Sequence, residues 1–235
     1  MGRTQDGRQL RWDHHNQQRR QQILSAAIEV IESGEPGEEF HVQQIAERAG
    51  LNRTVVYRHF ADRSDLDAAI RAQVVENFTE LLTPAVSLEG TINEIVLRIV
   101  ATYVDWTVEH PKLHAFAVVD GGNALEMGLH RIAGSLVDLL DLAIAMLGLD
   151  LDEDEQALVD PLAHGLVGAV FGTVGRWVAR AEHVPPAGRL SELLALSIWN
   201  LLDGHLRRLG VEVDPSRPLV DVLGIPAEFV DGATA

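Results

Sequence analysis

Residues 42–60, VQQIAERAGLNRTVVYRHF, decide the fold. Ile45 and Ala46 put an apolar and a small side chain on the inner face of a short helix read over Val42–Ala49. Ala49 needs close packing at its end, and Gly50 supplies the positive φ that a tight interhelical turn requires. Leu51 fills the gap before a second helix read over Arg53–Phe60, which Asn52 is suited to cap. Val55, Val56 and Phe60 form the inner face of that helix. Arg53, Thr54, Tyr57, Arg58 and His59 are left for its outer side. Two short helices joined in this way make a helix-turn-helix, whose second helix enters a major groove by its N-terminal residues.

Outward from this stretch the periodicity stays helical, with no sustained alternation of period two. A first helix is read from about Arg19 to Ser33, with Ile23, Ala26, Ala27, Val30 and Ile31 on one face and Gly34 at its end. The acidic loop SGEPGEE follows. A longer helix starts near Ser64 and stops before Thr83-Pro84. Further helices are read at about 88–109, 111–119, 124–147, 152–181 and 189–209, punctuated by Gly121-Gly122, Gly148 and Pro185-Pro186. The expected fold is all-α. A flexible N-terminal arm (1–18) precedes a three-helix DNA-binding domain (19–64), a larger helical domain (65–210) and a mostly irregular tail (211–235).

Composition removes other chemistries. The 235-residue chain has no Cys, so disulfide frameworks, thiolate zinc sites, iron–sulfur clusters and thiol nucleophiles are all absent. Its single Lys, Lys112, is followed by Leu113 and preceded three residues earlier by Glu109. It therefore fits neither a phosphate-binding loop nor an SxxK nucleophile. His110 and His114 are spaced i, i+4, but Pro111 lies between them and no acid completes a site; no metal is expected. The run DLDEDEQ has Glu155 and Pro161 where a calcium loop needs Gly and Glu. No cofactor is implied. There is no secretory pattern, and the longest nearly uncharged stretch, Pro161–Gly175, is short of the roughly 20 residues a bilayer needs. A soluble cytoplasmic protein with no membrane partner is expected.

The first helix, ILSAAIEVIESG, the string IAERAGLNRTVVYRHF with its Tyr-x-His-Phe end, Arg63 three residues on and Leu66 in the connecting helix together resemble the TetR family of bacterial transcriptional regulators. The resemblance covers about Arg20 to Leu66. It implies a homodimer bound to a double-stranded DNA operator of pseudo-palindromic sequence. The reading is a ligand-responsive regulator, usually a repressor and not an enzyme. An all-helical enzyme or carrier using the helix-turn-helix as scaffold, or a non-inducible DNA-binding protein, are the alternatives. By the same resemblance Tyr57, His59 and Arg63 bond to phosphates, and Arg53 and Thr54 contact base edges. Val55 is placed near a thymine methyl, Gln43 and Gln44 near the backbone, and Asn52 and Arg58 in the same surface. His41 stands where the family commonly has Thr or Ser, and an imidazole can still meet phosphate.

In the larger domain, Gly165, Gly168, Gly172 and Gly175 share one helix face. Each Gly costs roughly 1 kcal/mol relative to Ala, so another backbone packing closely, or a cavity, is needed to explain the stripe. By resemblance the last two long helices make the dimer, with Leu194, Ile198 and Leu201 beside the glycines. An effector pocket is implied too, with Tyr103, Trp106, Phe116, Met127, Arg131, His164, Phe171 and Trp177 as candidate lining. Neutral, cationic and lipophilic effectors are all compatible with it.

The net charge of −16 argues at first against DNA. Yet residues 1–75 carry 10 basic and 11 acidic side chains, whereas 76–235 carry 9 and 24. Residues 41–63 hold four Arg against Glu47 and Asp62, and residues 1–20 hold five Arg against Asp6 and Asp13. Those five, Arg3, Arg8, Arg11, Arg19 and Arg20, either lie on DNA as a basic arm or belong to a solubilising tail.

Overall fold

The computed structural model describes residues 3–34, 40–87, 89–118 and 123–224, with the side chains described from His14 onward. Most of the acidic loop (residues 35–39), Gly121-Gly122 and the last eleven residues lie outside them. The described residues form α1 (Arg3–Ser33), α2 (Val42–Arg48), α3 (Arg53–His59), α4 (Arg63–Leu82), α5 (Ile92–Glu109), α6 (Pro111–Val118), α7 (Asn123–Met146), α8 (Glu153–Val178), α9 (Ala187–Arg208) and the short α10 (Leu219–Val222). A 3₁₀ turn at Thr83–Ala85 follows α4. The all-α expectation therefore holds, and strands are absent among the described residues.

One element differs at its start. Where an irregular arm was expected before Arg19, α1 runs unbroken from Arg3. Arg and Gln are good helix formers, the segment has no Pro, and extending an existing helix avoids the cost of nucleation.

The chain forms two compact units. The first comprises residues 1–77 together with 110–125, and the second 78–109 together with 126–235. The division thus falls within α4 rather than near residue 64, and α6 belongs with the helix-turn-helix.

In the first unit Ile23, Ala27, Ile45, Ala46, Val56, Leu66 and Ile70 are fully buried, drawn from all four helices α1 to α4. Gly50 has φ +65°, and the amide of Leu51 bonds back to the Ala46 carbonyl at 2.8 Å, closing the turn. Helix α6 is held by the only lysine in the chain: Lys112 Nζ donates to the Glu32 carbonyl (2.9 Å) and to that of Gly34, at the C-terminal end of α1. His110 pairs with Glu32. Phe116 meets Phe40 edge-on, with ring centroids 5.6 Å apart, and lies under the Arg71 guanidinium.

The second unit is built around α5. Its Val100, Tyr103 and Val104 pack with Val174 and Trp177 of α8 and Leu190 of α9. Arg98 gathers the segment before α5 by donating to the carbonyls of Ala85, Ser87 and Glu89. Helix α8 starts with a reciprocal cap: the Asp152 carboxylate accepts from the Glu155 amide at 2.8 Å, and Glu155 accepts from the Asp152 amide at 3.1 Å.

Candidate nucleic-acid interface and helical-domain sites

Recognition chemistry requires α3 to be held firmly from behind while its outer side stays open. Val56 and Phe60 bury the inner side completely or nearly so. Arg53, Thr54, Tyr57 and Arg58 are exposed, and Val55 is half-buried rather than part of the sealed inner face. Tyr57 is 37% exposed, with the Arg53 guanidinium 5.4 Å from its ring centroid. Sequence reading missed the residues of α1 that position the motif. Arg20 donates to the His59 carbonyl at 2.9 Å and stacks over Phe60, fixing the end of α3. Gln22 donates to the Ala49 carbonyl at 2.7 Å, fixing the end of α2. The sequence signal was available: both lie on the turn before the first apolar position, Ile23, where long polar side chains can reach neighbouring helix ends.

Four expected DNA contacts are engaged elsewhere or differ in detail. Gln44 Oε1 accepts from the His41 amide at 2.6 Å and so caps α2, while the Gln44 side chain stays exposed; His41 itself is exposed. Gln43 is exposed and donates to Glu47 Oε1 at 2.7 Å. Asn52 occupies the position before α3 but makes no capping bond with its side chain, which is exposed. Arg63, expected on phosphate, pairs with Asp67 at 2.8 Å, donates to the Phe40 carbonyl at 3.0 Å and covers the Phe40 ring. A carboxylate one turn downstream and a carbonyl within reach satisfy this guanidinium inside the domain.

His59 is half-buried, and burial first, then the charges of Arg20 and Arg19, lower its pKa from the usual histidine value. The lowered pKa favours the neutral imidazole at neutral pH. Phosphate would raise that pKa in the complex, so operator affinity should rise as the pH falls from 7.5 to 5.5, by up to one proton per protomer. His59→Asn should flatten the profile. An unchanged pH profile in that variant would remove His59 from the phosphate contacts. Protein stability moves the other way. His59 and the buried His114 both have depressed pKa values, so the unfolded chain protonates first and stability falls below about pH 6.5.

The candidate effector residues do not converge on one place. Tyr103, Trp106 and Phe171 form an aromatic cluster with Phe78, whose ring lies 5.4 Å from Tyr103 and 4.8 Å from Trp106, while Phe171 stacks 6.1 Å from Tyr103. Burial raises the Tyr103 phenol pKa well above its ordinary value. Trp177 is a buried core residue whose Nε1 donates to the Pro185 carbonyl at 2.9 Å. Phe116 belongs to the first unit, where Phe40 and Arg71 enclose it. Met127 is 57% exposed and Arg131 is exposed. His164 Nε2 lies 2.8 Å from His130 Nδ1, and its Nδ1 lies 2.9 Å from the Asp160 carbonyl. No cluster of three or more metal-ligating side chains occurs among the described residues.

The glycine stripe faces away from its own unit. Ala163, Leu166, Val174 and Trp177 bury one side of α8, and the four glycines lie on the other. Among the described residues, a Cβ added at Gly165, Gly168, Gly172 or Gly175 would meet no atom within 4 Å, so none of them packs closely on this face. On α9 the expected dimer residues divide. Leu194 and Ile198 turn inward and pack on the core, because they follow Leu190 at helical spacing. Leu201 is exposed, as are Leu193 and Leu196, the last of which sequence reading had not named. Among the described residues α8 is also the one helix long and apolar enough to cross a membrane, with a mean hydropathy of 1.5 over 18 residues. Its full apolar window is longer than the uncharged stretch counted from the sequence.

Residues 23–70 match the family described as "Bacterial regulatory proteins, tetR family". Over 230 residues the chain is 24% identical to an uncharacterized HTH-type transcriptional regulator of Mycobacterium tuberculosis (strain ATCC 25618 / H37Rv), covering 93% of this chain and 94% of that one. It is similar in fold to a tetR-family transcriptional regulator from Streptomyces coelicolor, with a TM-score of 0.63, 17% identity and coverage of 93% and 99% of the two chains. A second similar fold is the TetR family repressor AlkX from Dietzia sp. strain DQ12-45-1b, with a TM-score of 0.51, 15% identity and coverage of 77% and 95%.

Proposed function

From the premise that the chain belongs to the tetR family of bacterial transcriptional regulators, and is not an enzyme, we propose that it is a repressor. It binds a pseudo-palindromic operator as a homodimer, and a small molecule in the second unit releases it. The observation that carries the DNA reading is the two-sided α3, sealed by Val56 and Phe60 behind and open at Arg53, Thr54 and Tyr57 in front. Arg53 is suited to guanine N7 and O6, Thr54 to a hydroxyl or methyl contact, and Tyr57, Arg58 and His59 to phosphates.

The uncovered glycine face of α8 and the exposed Leu193, Leu196 and Leu201 of α9 support the dimer. Glycines let two backbones approach closely, and leucines supply apolar area; a second copy provides both partners at once. A bilayer fits α8 less well, because one side of the helix is already committed to its own core.

Helix α6 supports a route for release. It follows α5 and precedes α7 in the chain, yet packs in the helix-turn-helix unit through Lys112 on the end of α1 and Phe116 on Phe40. An effector that shifts α5 or α7 therefore pulls on α1, and α1 holds α3 through Arg20. The ligand need only favour the dimer whose recognition helices no longer match successive major grooves, about 34–36 Å apart. The aromatic cluster of Phe78, Tyr103, Trp106 and Phe171 is the best candidate for its apolar contacts.

Selecting genomic fragments retained by the purified protein at moderate salt, then screening metabolites for release, tests this reading. A specific palindromic fragment and a releasing compound are expected. The absence of any sequence-specific fragment overturns the regulator reading. Specific retention that no compound reverses overturns release by ligand.

A further inference from the structure

The part of α1 beyond the helix-turn-helix is a feature the proposed function leaves unused. The core of the first unit engages α1 from Ile23 onward. Arg20, just before it, grips the last carbonyl of α3, whereas the opposite end of α1 is held by Lys112. The segment before Arg20 thus begins beside the end of the recognition helix. It spans 17 residues from Arg3 to Arg19 as continuous helix, about 25 Å long at ~1.5 Å per residue. From His14 to Gln18, where side chains are described, it is exposed.

Its charge is opposite to that of the chain. Residues 1–20 carry five Arg and two Asp in a protein of net charge −16. In the sequence Arg8, Arg11, His15 and Arg19 recur at steps of three and four residues, the spacing of a helical stripe, and Asp6 and Asp13 fall out of step with them. A basic stripe of this kind suits a row of phosphates. Groove dimensions narrow the choice further. An α-helix with side chains is about 10–12 Å across, too wide for a minor groove of about 6 Å, so this segment cannot act as an extended minor-groove arm.

We propose that residues 3–19 form a helical strut that contacts the phosphate backbone outside the half-site read by α3. The proposal rests on the DNA-binding reading above. A length of about 25 Å corresponds to roughly seven base pairs, enough to extend each half-site outward. The strut would supply charge that the recognition unit, with few basic residues, lacks.

The test compares the full chain, a variant lacking residues 1–18, the Arg8→Ala/Arg11→Ala double variant and Gln9→Pro on one selected operator. The truncation keeps Arg19, Arg20 and the whole buried core. Gln9→Pro keeps every charge but interrupts the helix. Hydroxyl-radical protection and the salt dependence of binding are read for each.

The truncation should lose several base pairs of protection at both outer edges while keeping the centre. The double variant should lower the salt slope by about two per protomer, at ~0.9 per phosphate contact. Gln9→Pro should lose the outer protection as the truncation does. Unchanged protection and slope in the truncation overturn the proposal. Retained outer protection in Gln9→Pro, with loss in the truncation, also overturns it, because a flexible arm would then suffice. A full chain that retains no specific operator overturns the DNA-binding reading itself, a result distinct from either.

Discussion

Gly168→Leu is expected to yield a folded monomer whose operator affinity is lower by 10²- to 10⁴-fold, the loss about expected when a second, tethered half-site contact disappears. A Cβ at Gly168 meets no atom within 4 Å among the described residues, so the substitution creates no clash with them. Within the protomer it should be neutral or stabilising, since replacing a mid-helix Gly recovers up to roughly 1 kcal/mol of helix propensity. The larger side chain is felt only where a second copy presses on α8. Sedimentation should report a monomer with undiminished helical signal, and titration should show half-site affinity on a full operator. Leu196→Glu, on α9 and 54% exposed, should behave alike because it would bury an unpaired carboxylate in the dimer. A normal dimer with full operator affinity in both variants would remove α8 and α9 as the interface.

Arg53→Ala is expected to cost about 1–3 kcal/mol at each half-site and to relax preference at one base pair of each. Arg53 opens α3, is exposed, and rests near the Tyr57 ring. Because two copies bind one operator, the two losses combine to about 2–6 kcal/mol if the half-sites act independently. Binding to the operator and to random DNA should be compared at one salt concentration. An equal loss on both would make Arg53 a phosphate contact without a role in reading sequence.

The helix-turn-helix was legible because its signals are local. Gly50 is needed for a backbone of positive φ, and Val56 and Phe60 follow the helical period inward. The roles of Arg63 and Gln44 were not legible, since a long polar side chain shows its reach in sequence but not its partner. Arg63 found Asp67 and the Phe40 carbonyl, and Gln44 found the His41 amide. That Phe116 lies in the first unit was not legible for the same reason. An aromatic residue at helical spacing advertises burial without saying which unit buries it.

The sequence by itself determined the helices, the turn at Gly50, the outward set on α3 and the existence of a glycine face on α8. These follow from backbone preference and from periods of a few residues, which neighbouring residues specify. Only the tertiary structure decided that α6 joins the DNA-binding unit, that Leu194 and Ile198 turn inward while Leu196 turns outward, and that the glycine face meets nothing among the described residues. Those outcomes depend on which helices meet across large separations in sequence. Burial against a distant partner leaves no local mark in the chain.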